Sequence, residues 1–209
     1  MNYQKLFESD ITKDAISAWR AQGKKALGVV CCHVPQELLH AADVLPVRLR
    51  ATGCEDYSEA EVWMSSFSCS FAKSILQYLI DNVYDLDGFV TSDGCMQAAR
   101  IYDNWKAYSK KAGKEQTLIE IGAPRMNSAT TRAYYKEELR ILVEGLEKLT
   151  GNKVTDEKII KSVETYNEAR VLVKKLLDLQ KAENPVITGA EVMKIMLAST
   201  NMPVEEYIE

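Results

Sequence analysis

From residue 26 to residue 124, short apolar runs alternate with stretches of helical periodicity, and this alternation narrows the possible folds more than any other feature of the chain. Leu27–Val34, Leu45–Arg50, Asp87–Thr91 and Gln116–Ile121 read as strands. Between them, Gln36–Val44, Cys69–Asn82 and Met96–Lys111 read as helices, and Gly53–Glu61 as a polar loop. In the second helix Phe71, Ile75, Leu76, Leu79 and Ile80 share the expected inward face. Parallel neighbours need long crossovers, which helices supply. The pattern therefore predicts an α/β fold, a Rossmann-like parallel sheet of about four strands flanked by helices. Ligands of such sheets bind beyond the carboxyl ends of the strands.

The flanks have a different texture. Residues 1–25 read as an amphipathic helical lead-in, with Ile11, Ala15, Ile16 and Trp19 at helical spacing. Beyond Pro124 the pattern is mostly helical. Thr130–Thr150 carries Leu139, Leu142, Val143, Leu146 and Leu149 on one stripe and stops at Gly151. Thr155 caps a second long helix reaching Lys181, Thr188 caps a third over Gly189–Ser199, and Pro203 starts a last turn. The expected division is a lead-in over 1–25, an α/β unit over 26–124 and a helical C-terminal region over 125–209.

A net charge of −4, from 26 basic and 30 acidic residues, offers no nucleic-acid surface, and no basic stripe counters that reading. No apolar run approaches the roughly 18 residues of a membrane span. The first ten residues carry acids where a secretion signal needs an apolar core. A cytoplasmic location is expected, and in a reducing cytosol five cysteines favour metal or redox work over disulfides.

Three of those cysteines fall at or near the starts of helices. Cys31 lies late in the first strand-like run, just before the helix opener Pro35. Cys69 heads the second helix, and Cys95 follows Ser92-Asp-Gly at the head of the third. Free amides and the helix dipole favour a thiolate there, the form that ligates iron. Against this stands the plain reading of a free cysteine as a small buried hydrophobe. Cys32 and Cys54 are left to that reading: Cys32 alternates with Cys31 and should face the opposite way, and Cys54 sits in the polar loop. Glu37, the acid of the first turn after Pro35, either complements the helix dipole or serves a ligand as hydrogen-bond partner or proton relay. His33 reads as a strand residue and His40 as a helix-face residue, neither with a visible partner. Tyr102, Trp105, Tyr134 and Tyr135 read as packing between helices. Glycine-rich nucleotide loops and a Gly-x-Ser-x-Gly elbow are absent from the sequence.

Three ordered motifs carry a family resemblance. Cys31-Cys-His-Val-Pro-Gln-Glu-Leu-Leu-His-Ala-Ala-Asp-Val-Leu-Pro-Val-Arg-Leu49 resembles the opening motif of the 2-hydroxyacyl-CoA dehydratase and benzoyl-CoA reductase family. Ser68-Cys-Ser-Phe-Ala-Lys-Ser74 resembles its second motif, and Leu86-Asp-Gly-Phe-Val-Thr-Ser-Asp-Gly-Cys-Met-Gln-Ala-Ala-Arg-Ile-Tyr-Asp-Asn-Trp105 its third. Tyr166-Asn167 and Val186-Ile-Thr-Gly189 fit the family's helical region.

The resemblance implies a [4Fe–4S] cluster held by three cysteines, with one iron free to meet an acyl-CoA substrate. By motif, Cys69 and Cys95 would be two of the ligands, with Cys31 near the cluster. It further implies a sister subunit of the same family and an ATP-dependent activator protein that delivers single electrons. The implied chemistry is one-electron reduction of an acyl-CoA thioester. In dehydratases a ketyl radical then expels the 2-hydroxyl group; in benzoyl-CoA reductases the aromatic ring is reduced. Family subunits continue into a second α/β domain that brings the third cysteine, and no cysteine follows Cys95 here. The chain is thus expected to be a fragment or a short homologue. The alternative to an enzyme is a scaffold or binding module that keeps the fold without redox chemistry.

Overall fold

A computed structural model describes residues 11–114 and 116–209. The elements run α1 (Ile11–Arg20), β1 (Lys25–Val29), α2 (Gln36–Ala41), β2 (Val44–Arg48), α3 (Ser58–Trp63), α4 (Ser70–Ile80) and β3 (Gly88–Ser92). They continue with α5 (Met96–Lys111), β4 (Thr117–Ile121), α6 (Ala129–Thr150), α7 (Asp156–Leu179), α8 (Gly189–Ala198) and α9 (Val204–Ile208). Residues 1–10 of the expected lead-in lie outside the described residues. Within α1, Ile16 and Trp19 are buried as their spacing predicts.

The four strands form one sheet of order β2-β1-β3-β4 in which every pairing is parallel. Register runs from Lys25↔Val44 to Val29↔Arg48 on one side and from Gly88↔Thr117 to Ser92↔Ile121 on the other. Strand alternation splits the core across the two faces. Ala26, Leu45, Val47 and Phe89 pack with Ile16, Trp19, Ile75, Leu76, Ile101 and Trp105 from α1, α4 and α5. Leu27, Val29, Val90, Ile119 and Ile121 pack with Leu39 of α2 and with Leu142 and Leu146 of α6. Helices therefore cover both faces, as expected for a parallel sheet with no wet side. Pro46, which cannot donate to a ladder, sits on the edge strand β2.

Three departures from the expected elements have local causes. The first strand ends at Val29, not Val34. Leu49 N–H still bonds Val29 O at 3.0 Å and Val30 N–H reaches Val90 O at 3.3 Å, but then the chain folds back, with Val34 N–H on Cys31 O at 3.4 Å. Within the expected polar loop, α3 forms because Ala60 is fully buried and its N–H donates to Gln77 Oε1 at 3.0 Å. Phe71, expected to face inward, is 45% exposed on the first turn of α4, while Ile75, Leu76, Leu79 and Ile80 are buried.

The long helices follow their caps. Ser128 and Thr131 form a capping box at the head of α6, and Gly151 closes it in the left-handed region. Thr155 caps α7, and Thr188 with Glu191 forms a second box at α8. A small cluster of Tyr166, Ala169 and Val204 joins α7 to α9.

Candidate functional site

Two crossovers leave the centre of the sheet in opposite directions. The chain passes from β1 outward to β2, then returns to β3 beside β1 and proceeds to β4. The carboxyl ends of β1 and β3 therefore flank a topological switch point, where open α/β sheets form their binding crevice. Helices following these strands run back antiparallel, so α2, α4 and α5 present their first turns to the same edge.

Cys69 and Cys95 occupy matching positions there. Each is the N-cap residue of its helix, in extended backbone, and neither thiol makes a capping hydrogen bond. Both are exposed. The two helix starts are joined by Cys69 N–H, which donates to Gln97 Oε1 at 3.4 Å. Thiols at the heads of helices of 11 and 16 residues stand beside free first-turn amides. Phe67 and Met96, 96% and 72% exposed, stand close to these thiols in the chain.

The loop after β3 is braced on both sides. Asp93 N–H bonds Ile121 O at 3.1 Å, and Asp93 Oδ1 accepts from Ala123 N–H at 2.7 Å. Gly94 lies against His33, so closely that a Cβ at 94 would come 2.6 Å from His33 Nδ1. The loop after β1 thus touches the loop after β3 across the switch point.

The loop after β1 holds the main surprise. Because the chain turns instead of continuing as a strand, Cys32 does not face away from Cys31. The ligand atoms of Cys31, Cys32 and His33 all lie within 4.8 Å of one another. His33 Nδ1 is 3.1 Å from Cys31 Sγ, and Tyr135 O–H donates to His33 O at 2.9 Å. Tyr135 packs against the core as expected and also anchors this turn. Burial, and next the neighbouring Cys31 and Glu37, raise its phenol above the ordinary value. Among the described residues no other group of three His, Cys, Asp or Glu donors comes this close together. Cys54 is half-buried with its thiol on Asp56 O at 3.3 Å, in keeping with a packing role.

Beside this turn a cleft of about 640 Å³ opens between α2, α6, α7 and α9, lined among others by Cys32, His33, Glu37, Tyr135, Tyr166 and Arg170. Glu37, largely buried, forms an ion pair with Arg170. Arg170 also lies over the Tyr166 ring, 5.9 Å from its centroid. Burial, with the charges of Glu37 and Glu205 behind it, pushes the Tyr166 phenol well above its ordinary range, so it enters the cleft as a neutral donor. His40 does have partners: Nδ1 is 2.8 Å from Ser162 Oγ and Nε2 is 2.7 Å from Glu205 Oε1. Arg170, Ser162 and Glu205 were invisible as site neighbours because they lie more than a hundred residues downstream. Pro35 marked the start of α2 but not the turn ahead of it, since the residue before a proline is biased towards extended backbone.

Residues 31–209 match the family described as 2-hydroxyglutaryl-CoA dehydratase, D-component. The chain belongs to this family. It is 25% identical to the (R)-2-hydroxyglutaryl-CoA dehydratase subunit beta of Acidaminococcus fermentans over 99% of its own length and 54% of the relative's. It is 28% identical to a benzoyl-CoA reductase subunit of Thauera aromatica, over 97% and 52%. Against the (R)-phenyllactyl-CoA dehydratase beta subunit of Clostridium sporogenes it is 26% identical, over 90% and 49%. The chain thus spans about half the length of these family members. No described helix is long and apolar enough to cross a membrane.

Proposed function

We propose that this chain is the α/β and helical part of a subunit of an iron–sulfur enzyme that reduces an acyl-CoA thioester by one electron, as in 2-hydroxyacyl-CoA dehydration. The observation that carries the reading is the matched placement of Cys69 and Cys95, two exposed thiols at the uncapped heads of α4 and α5 on the binding edge of the sheet. Their chemistry fits a [4Fe–4S] cluster, whose ligands are thiolates and whose potential depends on nearby amides and solvent access. Cys69 and Cys95 would hold it, with Cys31 standing across the β1–β3 crevice. When bound, the cluster supplies single electrons and an iron that polarises the thioester carbonyl or hydroxyl.

The chain's own groups have separable tasks in this reading. The heads of α4 and α5 place free backbone amides beside the ligand thiols. Glu37, balanced by Arg170, offers a carboxylate at the cleft to a hydroxyl or water of the ligand. Tyr166 carries a phenolic proton on the same wall, beside the Tyr135 hydroxyl held on His33 O. The exposed Phe67 and Met96 support a covering partner over this edge, either a further domain or a sister subunit, because large apolar side chains exposed beside a polar site favour burial in an assembly. An ATP-dependent activator would supply the electrons.

Anaerobic reconstitution with iron and sulfide, in the presence of the sister subunit, tests the reading. The expected result is a broad iron–sulfur absorbance band that Cys69→Ala or Cys95→Ala removes while far-UV circular dichroism is unchanged. A band that survives in both variants would refute the assignment and leave a scaffold role.

A further inference from the structure

We propose that Cys31, Cys32 and His33 form a second, soft-metal site, distinct from the thiols of α4 and α5, that binds one zinc-class divalent ion through two thiolates and an imidazole. The proposal goes beyond the cluster reading and does not depend on it.

The backbone gathers the donors. In an extended strand consecutive side chains alternate, and Cys32 would point away from Cys31. Here β1 ends at Val29 and the turn closed by Val34 N–H on Cys31 O gathers both thiols and the ring on one side. The three ligand atoms lie within 4.8 Å of one another, and Cys31 Sγ stands 3.1 Å from His33 Nδ1. Metal–sulfur and metal–nitrogen bonds of tetrahedral zinc imply donor separations of about 3.6–3.8 Å, inside that span.

The turn is also held. Tyr135 O–H fixes the His33 carbonyl, and the missing Cβ of Gly94 leaves room for the imidazole. Both contacts hold the turn in place, one at the His33 backbone and one beside its ring. The donors are accessible: Cys31 is half-buried, whereas Cys32 and His33 are exposed, and these two line the cleft beside Glu37 and Arg170. Two sulfurs and a nitrogen select zinc-class or cuprous ions over magnesium and calcium. Three protein donors leave a fourth position for water or a small anionic or neutral solute from the cleft, the arrangement of a reactive rather than a purely structural zinc.

Cobalt(II) titration of this chain, reduced and anaerobic, tests the site without reference to turnover. One equivalent of cobalt is expected to produce a thiolate-to-cobalt charge-transfer band, which zinc then abolishes. Cys32→Ser should lower the band by about half, and Cys32→Ser or His33→Ala should weaken binding at least about tenfold, the lower end of what even outer-shell losses cost. Gly94→Ala should weaken it by displacing the imidazole, without removing a ligand. Cys69→Ser and Cys95→Ser should leave cobalt binding intact, which separates this result from that of the cluster reconstitution. All these positions are exposed or in loops, and unchanged circular dichroism verifies the fold of each variant. Absence of a charge-transfer band in the wild-type chain would overturn the site. So would Cys32→Ser binding with unchanged strength, or loss of binding in the Cys69 and Cys95 variants instead.

Discussion

Glu120 places Oε1 in the sheet where, among the described residues, no hydrogen-bond donor meets it, and Thr91, its register partner on β3, has a fully buried hydroxyl in the same condition. Burial raises the Glu120 carboxyl above its ordinary value of 4.5, and the charges of Asp103 and Asp93 push the same way against Lys106. A carboxyl whose folded value is raised costs stability once the pH passes the unfolded value, because the unfolded chain releases the proton more readily. Glu120→Gln is therefore expected to raise the melting temperature at neutral pH, with the gain shrinking as the pH falls towards 4.5. A gain of equal size at acid and neutral pH would show that charge is not its cause. Such a residue is illegible in the sequence: Glu at an alternating strand position reads as solvent-facing, and only the packing beside Asp103 and Asp93 reveals the conflict. Cys32 failed in the same way, since its side was inferred from a strand that stops short of it.

Helix positions were more legible than strand ends, because 22- and 24-residue helices such as α6 and α7 repeat their apolar signal over many turns and carry side-chain caps. The stripe read along α6 is real: Leu142 and Leu146 are fully buried, and Leu139, Val143 and Leu149 pack against the same cluster. Five-residue strands carry no comparable redundancy, and the six-residue α3 is held by contacts to other helices: buried Ala60 with Gln77, Glu61 with Lys73, and Trp63 with Tyr108. What the pattern did not explain is Gly145, a helix-weakening residue in the middle of α6. The packing explains it, since a Cβ there would come 2.6 Å from Ile119 Cδ1 on β4. Two magnitudes then compete. Replacing a helical glycine with alanine gains about 1 kcal/mol of helix propensity. Overpacking a close contact costs about 1–3 kcal/mol, least when a flexible side-chain end can move. Gly145→Ala should thus be close to neutral in urea unfolding, because the Ile119 methyl can shift. Gly145→Leu should destabilise by about 1–3 kcal/mol as α6 is forced off the sheet. A leucine variant as stable as the wild type would mean that α6 does not rest on β4 at this point.

The molecule as a whole is joined across its helical region by polar contacts as much as by core. Asn201 Nδ2 donates to Thr12 Oγ1 at 2.9 Å, and Arg48 N–H bonds Thr200 O at 3.0 Å, which ties the α8–α9 connection to α1 and to the end of β2. Farther along, His40 of α2 bridges Ser162 of α7 and Glu205 of α9, and its ring meets Tyr166 edge-on at 5.7 Å. Glu37 and Arg170 complete the seam on the cleft side. A small apolar cluster, Tyr166 with Ala169 and Val204 and with Tyr207 and Ile208 packed against it, supports α9 against α7, and the Glu205 contact adds to this attachment. Burial opposes the charged form of Glu205, but its backbone hydrogen bond, His40 and, more weakly, Lys24 outweigh it and hold the carboxyl below its ordinary 4.5. For an acid with a lowered folded value, the stabilisation is fully present above the unfolded value and is lost as the pH falls through the lower, folded one. Stability of the α2–α7–α9 seam is therefore expected to decline as the pH drops below 4.5, and Glu205→Gln should flatten that decline while lowering stability at neutral pH. Hydrogen exchange of the α9 amides, compared with those of α5, reads the effect locally. Protection should fall first in α9 on acidification of the wild type, and should be low at both pH values in Glu205→Gln. Equal acid sensitivity of α9 in the two proteins would place the linkage elsewhere. Because this seam forms the wall of the cleft that holds Glu37 and Tyr166, its loosening would open the site at the edge of the sheet while leaving the sheet intact.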